Sequence, residues 1–182
     1  MPQETVLIGE QVRLRTLVEV DLTLLRQWDQ DHSINELVGK KFGSENCPRS
    51  WLHDLHRSPW RVGLAIEAQS RLIGDLELED INWRARTAEL RICIGRKPSW
   101  GKGYGTEAVG LAVDYAFSVL DLDLIYLRVN LSNWRAIRCY QKCGFVTEGL
   151  LKASPRQVDG RGTMALMVRN RYNKKNCCDD RR

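Results

Sequence analysis

"PSWGKGYGTEAVG", residues 98–110, places glycines at 101, 103 and 105 and then runs directly into a helix-forming stretch. A backbone this bare lets successive N–H groups converge on one point, because no Cβ holds a ligand away. The N-terminal end of the following helix adds roughly half a positive charge, so the expected guest is a phosphate or pyrophosphate. Lys102 supplies a formal charge nearby, and Thr106 is expected to cap the helix. Two other phosphate loops are excluded by spacing. A nucleoside-triphosphate loop needs GxxxxGK followed by Ser or Thr, and a dinucleotide fingerprint needs GxGxxG after a first parallel strand. "GKGYG" is GxGxG after a strand late in a meander.

Working outward, residues 106–120 carry Val109, Val113, Ala116, Phe117 and Leu120 on one helical face, so this helix buries that side. Upstream, "RVGLAIEA", a turn at residues 69–71, "LIGDLELEDI" and "TAELRICIG" alternate with period two and read as a three-stranded antiparallel meander. Earlier still, residues 12–15 read as a strand. A helix begins near Glu19 or Asp21, with Leu22, Leu25 and Trp28 on one face. Residues 31–50, broken by Gly39, Gly43 and Pro48, read as a loop or short helix before a second helix over 50–57. Downstream come a strand, "LIYLRVN", and a helix over 133–142 closed by Gly144. Two last strands, "FVTEGLL" and "TMALMVRN", flank a polar hairpin around residues 159–162. This order predicts one α/β (α+β mixed) domain over residues 1–170, a mixed sheet with helices on both faces, and a polar tail over 171–182 expected to be disordered.

The 182 residues carry a net charge of +5, 43% hydrophobic and 28% charged residues, the balance of a soluble globular protein. No apolar run is long enough to span a membrane, and the N-terminus lacks a signal-peptide layout, so a cytoplasmic location is expected. The excess positive charge suits anionic ligands, but no nucleic-acid motif accompanies it. Six cysteines (47, 93, 139, 143, 177 and 178) lack a disulfide framework and are read as reduced thiols. With no CxxC or HExxH element, no metal site is expected.

"WGKGYGTEAVGLAVDYAF", followed about 25 residues later by "NWRAIRCYQKCGF", resembles the acetyl-coenzyme A signature of the GNAT superfamily of N-acetyltransferases. The meander ending in "AELRICIG" is similar to that family's sheet. The resemblance runs from about Val6 to Arg169 and is strongest to the branch holding ribosomal-protein N-terminal and spermidine acetyltransferases. It implies a GNAT-type single domain with a mostly antiparallel central sheet, and acetyl-coenzyme A as co-substrate. Cofactor contacts would come from Trp100, Gly101, Lys102, Gly103, Tyr104, Gly105 and Thr106 around the pyrophosphate. Ile92, Cys93 and Ile94 would bind the pantetheine arm like an added strand and polarise the acetyl carbonyl, aimed by a bulge in their strand. Asn133, Ala136, Tyr140 and Lys142 complete the set, with Asn133 capping its helix or binding the arm. Where the family pattern opens with Arg or Gln, this chain has Trp100, which lowers local charge and leaves the backbone donors intact.

The implied reaction has two proton problems. A lysine-like amine, with pKa about 10.4, must lose a proton before attack, and the departing thiolate, with thiol pKa about 8.5, must gain one. Tyr140 is the expected acid, since the family places a tyrosine hydroxyl near the coenzyme A sulfur; otherwise it is a core residue of its helix. Glu89 is the expected base, directly or through water; otherwise it is a strand carboxylate paired with Arg91 or Arg86. A cysteine nucleophile among Cys93, Cys139 and Cys143 would want a nearby histidine or another cause of a depressed pKa, and the sequence places none close by. Direct transfer in a ternary complex is the preferred mechanism.

The acceptor side is assigned to residues 28–42, 80–86 and 152–162. Trp28, Asp31, His32, Glu36 and Trp83 are its candidate residues, and the acids Asp29, Asp31 and Glu36 would attract a cationic amine. Polyamines, aminoglycosides and protein N-termini all fit. The competing class is a catalytically weak coenzyme A-binding module acting through protein association. Homodimerisation is common in similar proteins.

Overall fold

The computed structural model describes residues 5–38, 48–152 and 162–172. The hairpin expected at 159–162 lies partly, and the tail over 173–182 wholly, outside the described residues, as do Gly39, Gly43, Cys47, Cys177 and Cys178. Eight strands form one sheet: β1 (Val6–Ile8), β2 (Val12–Thr16), β3 (Val62–Ala68), β4 (Arg71–Asn82), β5 (Thr87–Cys93), β6 (Leu124–Asn130), β7 (Val146–Leu151) and β8 (Met164–Asn170). Their spatial order is β1-β2-β3-β4-β5-β6-β8-β7. The helices are α1 (Leu22–Asp29), entered through a 3-10 turn at Glu19–Asp21, α2 (His32–Val38), α3 (Pro48–Arg57), α4 (Tyr104–Ser118) and α5 (Trp134–Lys142). The expected mixed architecture is what forms. Two elements escaped sequence reading: β1, three residues too short for periodicity to register, and the placement of α2 within the irregular stretch.

The meander is tightly specified. β3 and β4 join through Gln69–Ser70, both at positive φ (52° and 59°), the twist that a two-residue hairpin requires. The bulge expected in β5 lies instead in β4, where Asp80 is the extra residue at φ 51° and the register with β5 shifts between Glu79 and Asn82.

Two cores hold the layers. Against one face of the sheet, α4 buries Ala108, Val109, Ala112, Val113, Ala116 and Phe117 over Leu76, Leu78, Leu90, Ile125 and Leu127. On the other face, α1 and α3 bury Leu22, Leu25, Leu52 and Leu55 with Leu17 and Ala65. Gly63 allows this approach, since a Cβ there would stand 2.4 Å from the Leu55 side chain. The same roof covers acids that strand alternation would assign to solvent: Asp75 and Glu77 are buried between sheet and helices. None of the helices in the described residues is long and apolar enough to cross a membrane.

All neighbouring strands are antiparallel except β5 and β6, which α4 links as a parallel pair. That pairing lasts only for Thr87–Glu89 against Leu124–Tyr126. Beyond it β5 stays with β4 as far as Cys93, and β6 stays with β8 as far as Asn130. The two strands part, and a cleft opens between them.

Arg15 fastens the α1 entry to the sheet. Its guanidinium meets both oxygens of the buried Asp21 carboxylate at 2.7 and 2.8 Å and reaches Glu67 at 2.8 Å. Replacing Arg15 with Met should cost about 3–5 kcal/mol, because Asp21 would remain as a buried charge without its counter-ion. Urea unfolding measures this, and a loss under about 1 kcal/mol would show that the pair is solvated and structurally minor.

Candidate active site

The parted ends of β5 and β6 border a cleft of about 470 Å³, walled by α1 and α2 on one side and by the 101–106 loop with α5 on the other. At the loop, Lys97–Ser99 make a 3-10 turn, Trp100 is extended, and Gly101 and Gly103 take φ of 76° and 85°. A Cβ at either glycine would meet nothing within 4 Å, so the constraint there is backbone conformation and the space in front is open for a ligand. Gly105 differs. It lies in the helix, and a Cβ there would make ordinary contacts, 3.8 Å from Ile94 Cγ1 and 3.9 Å from Cys139 Sγ.

The cap expected from Thr106 is corrected by the structure. α4 begins two residues earlier, Gly103 occupies the cap position, and no side chain caps this end. Thr106 therefore sits in the first turn, where N–H groups lack intrahelical partners and face outward. Tyr104, Gly105, Thr106 and Trp100 all line the cleft with Gly101 and Gly103. Lys102 does not; it borders a separate small hollow with Arg71 and Arg96.

Trp100 is explained by two contacts. Its indole N–H donates to the Ile94 carbonyl at 2.6 Å, tying the loop to the end of β5, and the Arg135 guanidinium lies 6.0 Å from its ring. The charge missing at position 100 thus arrives from α5. Arg135, Arg138 and Lys142 all line the cleft, and sequence reading missed the two arginines although their i, i+3, i+7 spacing in "WRAIRCYQK" puts all three on one helix face. Asn133 caps α5, its side-chain oxygen accepting from the Ala136 N–H at 3.2 Å, and both residues also border the cleft.

Ile92, Cys93 and Ile94 form the β5 edge released by the parting of the strands, and all three line the cleft. Facing them from α5 is Tyr140, 6% exposed, its ring tilted at 60° and 5.9 Å from Phe145. Burial, reinforced by the thiols of Cys139, Cys143 and Cys93, pushes the phenol well above its ordinary range and keeps its proton in place. Cys139 moves the other way. A hydrogen bond with Cys143, opposed by burial and aided by Thr106 and Lys142, lowers its thiol from 9.0 to about 7. The depressed cysteine that sequence reading could not locate is therefore present, produced by helix neighbours and not by a histidine.

Glu89 is 3% exposed, and both of its oxygens are held by Arg128 at 2.8 and 2.7 Å. The partners expected from sequence are engaged elsewhere, Arg91 with Glu79 at 3.4 Å and Arg86 with Asp121 and Asp123 at 2.8 and 2.7 Å. Arg128 lines the cleft and Glu89 does not. The fork lifts the Arg128 guanidinium further above its usual range, so Arg128 stays charged.

Among the candidate acceptor residues, Trp28 and Glu36 line the cleft. Trp28 is wedged against Gly95, where a Cβ would stand 2.0 Å from the ring. Asp31, His32 and Trp83 are not in the cleft wall. Asp31 is taken by Lys97 at 2.6 Å, first among the causes that lower its carboxyl to about 2, and by Ser33 at 2.7 Å. His32 is exposed and pairs with Glu36 at 3.2 Å, and the Trp83 indole N–H donates to the Pro59 carbonyl at 2.9 Å. The cleft acids are Asp29, Glu36 and Asp75. Asp75, 3% exposed and opposite Cys93 in the β4–β5 register, was missed because "GDLELED" reads as a strand with a solvated acidic face. Among the described residues, no group of three or more metal-ligating side chains comes together.

With this geometry in view, comparison with known proteins is direct. Residues 11–146 match the family model described as an acetyltransferase (GNAT) domain. The chain is 40% identical over 146 residues to a spermidine N(1)-acetyltransferase of Vibrio cholerae, covering 79% of this chain and 84% of the relative. It is 36% identical over 141 residues to the spermidine N(1)-acetyltransferase of Escherichia coli, covering 77% and 75%. A crystal structure of spermidine N-acetyltransferase from Vibrio cholerae in complex with CoA and spermine superposes with a TM-score of 0.80 at 29% identity, covering 89% of this chain and 96% of that one.

Cys139 should be the first described cysteine to react with iodoacetamide near neutral pH, since it lines the cleft and its thiol is lowered toward neutrality. Peptide mapping by mass spectrometry checks this. Labelling of Cys143 ahead of Cys139 would contradict the assignment.

Proposed function

The chain belongs to the GNAT acetyltransferase family and is an acetyl-coenzyme A-dependent N-acetyltransferase, and from that premise we propose that it moves the acetyl group directly to a primary amine of a polyamine. The single observation that carries this reading is the division of one cleft. Its loop end offers open first-turn N–H groups flanked by Arg135, Arg138 and Lys142, and its α1–α2 end offers Asp29, Glu36 and Asp75. Anionic nucleotide and cationic amine are thereby directed to opposite ends. The relatives named for spermidine support the same choice of acceptor.

The residues present fit the cofactor. Bound acetyl-coenzyme A supplies the activated thioester. Gly101 and Gly103 leave the backbone open to its pyrophosphate, and the end of β5 past its pairing with β6, which lines the cleft at Ile92 and Cys93, is placed to offer main-chain groups to the amides of the pantetheine arm. Tyr140 holds its proton across the physiological range and donates it to the departing sulfur. For the amine proton, the Arg128 fork makes Glu89 a poor acceptor, since both oxygens already face a fixed cation. Asp75 takes that role, directly or through water, because it is the buried carboxylate on the cleft wall opposite Cys93. Glu89 then serves to hold Arg128.

An amine panel with thiol-release detection tests the acceptor. Spermidine and spermine should be acetylated, with aminoglycosides and N-terminal peptides at least about tenfold poorer in kcat/KM. Cofactor binding without turnover of any amine would favour a non-catalytic binding module. Tyr140→Phe should lower kcat about 100-fold or more while coenzyme A affinity stays within a factor of about two. An unchanged rate would remove Tyr140 as the acid. Asp75→Asn should lower the rate about 100-fold at neutral pH and recover toward pH 9.5, where more of an amine with pKa about 10.4 is already deprotonated. Glu89→Gln should keep the wild-type pH profile and lose stability, the reverse of what a proton acceptor would do.

A further inference from the structure

Past Trp100 the cleft continues over α5, where an unusual row of side chains stands at its mouth. The Arg135 guanidinium lies 6.0 Å from the Trp100 ring and 5.4 Å from the Trp134 ring, and the Arg138 guanidinium lies 5.3 Å from the same Trp134 ring. Trp134 is 56% exposed, and all four residues line the cleft. The row starts at the residue before Gly101, beside the open first turn of α4, and runs outward to solvent.

Neither the fold nor the transfer chemistry needs these groups. Trp134 is absent from both hydrophobic cores, and Arg135 and Arg138 lie against its ring at the cleft mouth. An exposed indole with two guanidiniums beside it has the chemistry of a nucleotide platform, in which the aromatic face stacks a base and the cations meet phosphate. Position selects the ligand. Any molecule whose pyrophosphate lies on the 101–106 loop and whose thioester reaches Tyr140 must send its nucleoside end the other way, past Trp100.

We propose that Trp134 stacks the adenine of coenzyme A and that Arg135 and Arg138 bind its 3′-phosphate, so that this end of the cleft discriminates coenzyme A from its 3′-dephospho form. This inference rests on the cofactor assignment above and adds residues to it. The pyrophosphate contacts are mainly main-chain and tolerate many side chains. The 3′-phosphate contacts are side-chain and specific, so selectivity between the two nucleotides resides in α5.

The test is isothermal titration of the full chain with three ligands: coenzyme A, 3′-dephospho-coenzyme A and 4′-phosphopantetheine. Wild type should bind coenzyme A about tenfold or more tightly than the dephospho form. Arg138→Ala should weaken coenzyme A about tenfold and leave the dephospho form unchanged, narrowing that preference. Trp134→Ala should weaken both nucleotides about tenfold and leave 4′-phosphopantetheine unchanged. Circular dichroism confirms that the variants fold; both positions are exposed, so the wild-type fold should persist. Variants that bind coenzyme A as wild type does would overturn this inference alone. A wild-type chain that binds none of the three ligands would overturn the cofactor reading as well.

Discussion

The parting of β5 from β6 is the constraint on which the site depends. Three residues of parallel pairing join two otherwise antiparallel blocks, and the blocks then diverge, each strand keeping only its outer partner. A strand edge exposed within a core normally leaves costly unpaired N–H and C=O groups. Here the edge at Ile92–Ile94 opens into the cleft, where a ligand amide can take the place of the absent strand. The glycine loop follows directly from the end of that strand, and the Trp100 indole fixes its exit by bonding to Ile94. Strand edge, loop and helix N-terminus are one continuous piece of chain, which is why they line one extended cleft.

Charge is sorted by layer. α5 brings Arg135, Arg138 and Lys142 to one end, and α1, α2 and β4 bring Asp29, Glu36 and Asp75 to the other. Behind the acids, the sheet face under α1–α3 carries cross-strand ion pairs, Arg61 with Glu77 at 2.7 Å, Arg91 with Glu79 and Arg128 with Glu89. Burial raises the Glu79 carboxyl above its ordinary value despite Arg91. In each pair the carboxylate is the covered partner and the guanidinium the more exposed one, so the acids on this face are balanced by cations reaching in from its rim.

Most of the architecture was legible in the sequence because it is local: period-two strands from residue 61 onward, one amphipathic helix after the glycines, and Gly144, at φ 83°, ending α5. What escaped depends on tertiary context. Alternation in "GDLELED" cannot reveal that a second layer covers the acidic face, so Asp75 was overlooked. The Glu89 partner lies 39 residues away on a strand whose register no pattern specifies. Thr106 reads as a cap because the apolar pattern registers two residues after the helix has begun, whereas left-handed Gly103 holds the cap position. Trp100 reads as a loss of charge in the sequence, and the Arg135 guanidinium beside its ring comes from a helix more than thirty residues on. The lowered Cys139 thiol likewise arises from a neighbour one helical turn away.

That thiol, lying beside Tyr140 in the cleft, sharpens the choice between direct transfer and a covalent acetyl-cysteine route. Initial-rate kinetics with acetyl-coenzyme A and spermidine varied together separates them most directly. With one cleft divided between a basic and an acidic end, the proposed direct transfer has both substrates bound at once, and double-reciprocal plots should intersect. Parallel lines would mean that the acetyl group leaves coenzyme A before the amine binds, and would contradict direct transfer.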